Sequence, residues 1–113
     1  MHELSLAEHI LQLIEEAAHQ QQFTQVEKVQ LEIGQLACVE RESLHFFFDI
    51  VKKDTLAHEA KLEILEIAGQ GICNQCHQSI SVNSYVTACP HCGSYAVAII
   101  AGEEMRIYAL EVK

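Results

Sequence analysis

The sequence predicts an α+β fold: two helices on a small three-stranded mixed sheet, with a four-cysteine ribbon inserted ahead of the last strand. Three observations predict it. Apolar residues recur at helical spacing in two stretches and alternate in three others. Four of the five cysteines fall in two C-x-x-C pairs. The stretch from Gly69 to Gly102 holds no Asp, Glu, Lys or Arg, although the 113-residue chain carries 16 acidic and 7 basic side chains.

Ser5-Leu-Ala-Glu8 reads as a capping box: the serine hydroxyl accepts from the Glu8 N–H, and the Glu8 carboxylate accepts from the Ser5 N–H. Behind it Leu6, Ile10, Leu13, Ile14, Ala17 and Ala18 form one stripe. A first helix is expected from about Leu6 to His19, with Met1, His2 and Glu3 just ahead of it. Val29, Leu31 and Ile33 alternate with Gln30 and Glu32, a half-buried strand ended by Gly34. Leu44, Phe47, Phe48 and Val51, widened by Phe46 and Ile50, predict a second helix from about Glu42 to Lys53, with two lysines at its C-terminal dipole. Leu62, Ile64 and Ile67 predict a second strand whose alternation slips near Leu65. Met105, Ile107, Leu110 and Val112 predict a last strand, which needs the sheet of the first two as its partner. The main unit then spans 1–68 and 102–113, and the inserted unit 69–101.

A formal charge of −9 excludes the clustered Lys and Arg of a nucleic-acid partner. No apolar run approaches the eighteen or so residues of a membrane span, and no signal peptide is expected. The odd cysteine count then points to a reducing, cytoplasmic setting rather than a disulfide framework.

Cys73-Asn-Gln-Cys76 and Cys89-Pro-His-Cys92 aim four sulfurs at one point, the donor set of a tetrahedral structural zinc ion. Four thiolates leave no open position, so a catalytic zinc is not expected. Cys73 to His77 also matches the C-x-x-C-H haem-attachment pattern, and either pair alone resembles a redox dithiol. Both alternatives leave the other pair without a task. So short a segment buries too little surface to fold alone. Zinc would supply apparent binding energy on the order of 10–16 kcal/mol toward its folding. His77 and His91 read as exposed turn residues; the alternative is that they titrate near neutrality and link the zinc fold to pH. Cys38 reads as a small buried hydrophobe. No nucleophile–base pair, phosphate loop or open metal site supports an enzyme.

The chain start, Met1-His2-Glu3, offers an imidazole, a free α-amine and two backbone amides that close five-membered chelate rings once deprotonated. Such nitrogen-rich, square-planar sets favour Ni(II) or Cu(II), and a cytosol holding Cu(I) leaves nickel the better guess. The alternative is a solvated histidine near a chain end.

These motifs together resemble the hydrogenase nickel-incorporation family HypA/HybF over essentially the full length. The resemblance rests on Met1-His2-Glu3, Ile33-Gly34 with Val39-Glu40 and Ser43 to Phe46, and Glu59 to Ile64. It also covers both C-x-x-C pairs and the ending Gly102 to Ile107 with Leu110 to Val112. It implies a metallochaperone that carries nickel and holds structural zinc at Cys73, Cys76, Cys89 and Cys92. It implies a mixed α/β nickel domain at 1–68 and 102–113 and a zinc domain at 69–101. His2 is the implied primary nickel ligand, with Met1 and Glu3 adding nitrogen donors. Glu40 matches an acidic position near that site that is Asp in some members, and Asp54 stands where glycine is frequent. The implied partners are a nickel-binding GTPase, HypB, and the large-subunit precursor of [NiFe]-hydrogenase, some members serving urease. A homodimer stays open, because an exposed sheet edge beside the last strand can pair. The competing reading is a zinc-ribbon interaction adaptor with no nickel transfer.

Overall fold

The computed structural model describes residues 3–113. Two helices and two small sheets make up the fold, and the chain divides into two compact units. The first comprises residues up to Leu31, Val39–Ile64 and Ile107–Lys113; the second comprises Glu32–Cys38 and Leu65–Arg106.

In the first unit, α1 (Glu3–Gln21) buries Ala7, Ile10 and Ile14, and α2 (Arg41–Val51) buries Leu44 and Phe48. The two helices pack together, and β1 (Val26–Gly34) buries Val26 together with Val29, Leu31 and Ile33, the last three on one face. Phe46 and Ile50, expected to widen the buried face of α2, instead point outward. The capping-box expectation is corrected: α1 already includes Glu3, so Ser5 lies inside the helix rather than capping it. Glu3 is favoured there because its carboxylate complements the N-terminal dipole and accepts the Glu40 N–H at 3.4 Å. At the other end Gln22, in the left-handed region (φ 60°), turns its N–H back onto the Ala18 carbonyl at 2.8 Å and stops the helix. Asp54 (φ 62°) also occupies that region, the backbone conformation that glycine adopts at least steric cost.

The first sheet has the order β2-β1-β6, with β2 at Lys61–Ile67 and β6 at Met105–Val112. The β1–β6 register is antiparallel. Lys113 donates to Gln25 at 3.0 Å, Gly34 to Glu104 at 2.8 Å and Leu36 to Gly102 at 2.7 Å. Within the first unit, Lys28 reaches Glu63 on β2 and Glu111 on β6, both at 3.4 Å, so one ammonium stitches the three strands.

The second unit holds the sheet β4-β3-β5, all antiparallel, with β3 at Gln70–Cys73, β4 at Ser79–Ser81 and β5 at Val97–Ala101. Its core is Leu36, Cys73, Ile80, Val82 and Cys89, flanked by Cys76, Val97 and Ile99. Leu36 comes from a short 3-10 turn, Gln35–Ala37, that follows β1. Gly34 has no room for a side chain: an added Cβ would lie 1.9 Å from the Gly102 carbonyl oxygen. Gly34→Ala is expected to force these two backbone segments apart and to lower stability by about 2 kcal/mol or more, read as a shift of the denaturation midpoint.

Candidate metal centre

The four cysteines sit on two turns of the same construction. In the first, the Cys73 N–H donates to Gln78 O at 3.0 Å and the His77 N–H returns to Cys73 O at 2.8 Å. In the second, the Cys89 N–H donates to Ser94 O and the Gly93 N–H to Cys89 O, both at 2.8 Å. The residue just after each pair is left-handed, His77 at φ 65° and Gly93 at φ 79°. This gives His77 a backbone task, since the chain must reverse there to point both sulfurs inward. Both His77 and His91 are exposed.

The sulfurs converge. Cys73 and Cys92 are 3.5 Å apart, Cys76 and Cys89 are 3.6 Å apart, and all four lie within 4.8 Å of one another. A tetrahedral zinc ion with bonds of about 2.3 Å sets its sulfurs about 3.8 Å apart, so the cluster suits a zinc ribbon. The donor chemistry agrees. The Cys73 thiol is held down to about 6, first by the backbone N–H of Cys76. The Cys76 thiol is pushed up to about 12: the Gln78 N–H favours its thiolate most strongly, but burial and the sulfurs of Cys89, Cys73 and Cys92 outweigh that donor. Cys92 is also raised, burial and the Cys73 and Cys89 sulfurs outweighing the Ser94 N–H. One thiolate is thus favoured and further ionisation is opposed, which is what four close thiols do until a dication offsets half of their charge.

The N-terminal candidates divide. Met1 and His2 lie outside the described residues. Glu3 is half-buried at the start of α1. Glu40 is exposed, and its carboxylate caps α2, accepting from Glu42 N–H at 3.1 Å, Ser43 N–H at 2.9 Å and the Ser43 hydroxyl at 2.5 Å. The Ser43 hydroxyl, above all, holds the Glu40 carboxyl below the usual carboxylate range. Capping stability from Glu40 is therefore present above the ordinary carboxylate pKa and is lost as pH falls through the lowered one. Glu40→Ala is expected to lower the melting temperature without changing metal content at the cysteines, read by calorimetry with metal analysis. Cys38 is corrected: it is exposed, left-handed (φ 57°), with its thiol donating to Leu36 O at 3.6 Å. It closes the 3-10 turn instead of filling a core.

Comparison with known proteins points one way. The family model described as hydrogenase/urease nickel incorporation, metallochaperone, HypA, matches residues 1–112. The hydrogenase maturation factor HypA of Acidithiobacillus ferrooxidans is 52% identical over 113 residues, all of both chains. That of Alkalilimnicola ehrlichii is 49% identical over 112 residues, 99% of each. The solution structure of the Ni metallochaperone HypA from Helicobacter pylori superposes with a TM-score of 0.73 at 28% identity, over 99% of this chain and 97% of that one. Among the described residues, no helix is long and apolar enough to cross a membrane.

Proposed function

We propose nickel delivery as the function of this chain, which belongs to the HypA family of hydrogenase/urease nickel-incorporation metallochaperones. Ni(II) is the cargo. Its donors are the His2 imidazole, the Met1 amine and the backbone nitrogens of His2 and Glu3. The ion passes, with a GTPase of the HypB kind, to the large-subunit precursor of a [NiFe]-hydrogenase in the cytoplasm. The supporting observation is the Met1-His2-Glu3 start inside a family match that runs from residue 1 to residue 112.

Two coordination chemistries divide the work. Zinc, resident at Cys73, Cys76, Cys89 and Cys92, fills every position with thiolate and builds the domain at 69–101. Nickel sits on the domain at 1–68 and 102–113. A cargo site must hold its ion yet let an acceptor's ligands replace its own one at a time. The Glu3 side chain holds the first turn of α1 through the Glu40 N–H, fixing where the donor segment leaves the fold. Glu40, engaged as the α2 cap, acts beside the nickel donors and not among them.

The test is metal analysis of the full chain with a free amine against the same chain extended by two residues at its N-terminus. The free chain is expected to take up Ni(II) beside its zinc, and the extended chain to keep zinc and lose nickel. Equal nickel in both would favour the adaptor reading.

A further inference from the structure

Beyond nickel delivery, and independent of it, we propose that the second unit binds an arginine side chain carried on an extended segment of a partner protein. The segment pairs with the outer edge of β4, and its guanidinium enters the cleft beside that edge. The cleft has a volume of about 510 Å³. It is lined by Gln35, Gly69, Ser81, Val82, Asn83 and Thr87, and by the two chain neighbours of Cys89. All of these residues belong to the second unit.

The polar groups of the cleft are placed to accept. The Gly69 carbonyl accepts from Val82 N–H at 3.0 Å, but the Gly69 N–H goes to Gln35 Oε1 at 3.1 Å. The Val82 carbonyl therefore lacks the donor that an antiparallel hydrogen-bonded pair would supply. The Thr87 hydroxyl donates to Ser84 O at 2.7 Å, so its remaining capacity is its lone pairs. Asn83 adds an amide oxygen.

Charge selects the class of ligand. No Lys or Arg lies between Gly69 and Gly102, so an anion meets no cation there. The thiolate centre keeps half of its negative charge when zinc-loaded, and its Cys89 sits between two residues of the cleft. Glu66, which accepts from Gln35 Nε2 at 3.4 Å, is a further negative charge beside it. A cation with several donors satisfies acceptors spread over Val82, Asn83 and Thr87. Guanidinium carries five in a planar fork, whereas an ammonium is a compact point charge.

The edge of β4 supplies the rest. Cys73 N–H bonds to Gln78 O and Val82 N–H to Gly69 O, both at 3.0 Å. Alternation then pairs Gly71 with Ile80 and turns the N–H and C=O of Ser79 and Ser81 outward, at the end of the sheet. Ser81 belongs to both the edge and the cleft. Main-chain pairing along such an edge gives affinity, and the cleft gives the choice of side chain.

NMR titration of the zinc-loaded full chain with the capped peptide Thr-Val-Thr-Arg-Thr-Val-Thr tests this, beside the same peptide carrying glutamine for arginine. Saturable shifts are expected at the Ser79, Ser81, Asn83 and Thr87 amides, and hydrogen exchange at Ser79 and Ser81 should slow. The arginine peptide is expected to bind at least about tenfold more tightly than the glutamine peptide, an advantage that shrinks as salt is raised. Thr87→Val keeps the shape and removes an acceptor. Ser81→Pro removes an edge N–H that makes no bond to β3. Each is expected to weaken the arginine peptide at least about fivefold with zinc content unchanged. Equal affinity for the two peptides overturns the proposal, as does the absence of saturable binding. Argininamide binding as tightly as the arginine peptide also overturns it, because strand pairing would then contribute nothing.

Discussion

Cys73→Ser is expected to empty the cysteine centre and unfold the second unit, the largest stability effect available in this chain. Cys73 is fully buried and belongs both to the sulfur cluster and to the core with Leu36, Ile80 and Val82. Serine supplies a hard oxygen that stays protonated at neutral pH, so a site built for thiolates loses its ligand and gains a buried hydroxyl. Apart from cysteine, that core contains three fully or nearly buried side chains, too few to hold the segment without metal. Since structural zinc supplies on the order of 10–16 kcal/mol toward folding, losing it outweighs any single packing change. Zinc content should fall below about a tenth of the parent value, and amide dispersion from 65–106 should collapse, while the helical signal of α1 and α2 persists. Acid is expected to act in the same direction. Metal must displace the protons of the raised thiols, so affinity falls with pH. Below about 6, where Cys73 also protonates, one more proton joins the exchange and the fall steepens. A zinc affinity flat from pH 8 to 5 would contradict this account of the centre.

His2→Ala is expected to abolish nickel uptake and leave zinc and fold intact. Imidazole is the only side-chain nitrogen in Met1-His2-Glu3. Without it the square-planar set loses a donor that no water replaces with comparable affinity, and a loss of a hundredfold or more, about 2.7 kcal/mol, is expected. The α1 contact with the Glu40 N–H is made by Glu3, which the substitution keeps, so melting should move little. Stoichiometric nickel on the variant would sink the delivery proposal. Hydrogenase maturation lost without nickel loss would instead assign His2 to a partner contact.

Much of the fold is legible because short-range pattern and long-range packing agree. The stripe of α1 and the alternation of Val29, Leu31 and Ile33 in β1 each have a buried face, and β6 half-buries Met105 and Ile107; in a strand a one-residue slip would turn that face outward. The cysteines are legible for a different reason: two C-x-x-C pairs allow very few geometries that use every sulfur. Where the reading fails, a tertiary partner has outbid a local rule. Ser5-x-x-Glu8 satisfies the capping box on its own terms, yet a contact between Glu3 and Glu40, 37 residues apart, carries the helix past it. Phe46 and Ile50 fit the helical stripe of α2, but packing covers only the side bearing Leu44 and Phe48.

By itself, then, the sequence determined the family, the α+β class, the four-cysteine cluster and the absence of charged side chains from the stretch that holds it, because each is written in residue type and near spacing. Only the tertiary structure decided that Leu36 belongs to the cysteine core, that Glu40 caps a helix, that Cys38 is exposed, and that β4 is left with an open edge. Those outcomes depend on which distant backbone groups find partners first and which remain over, and no local pattern encodes that allocation.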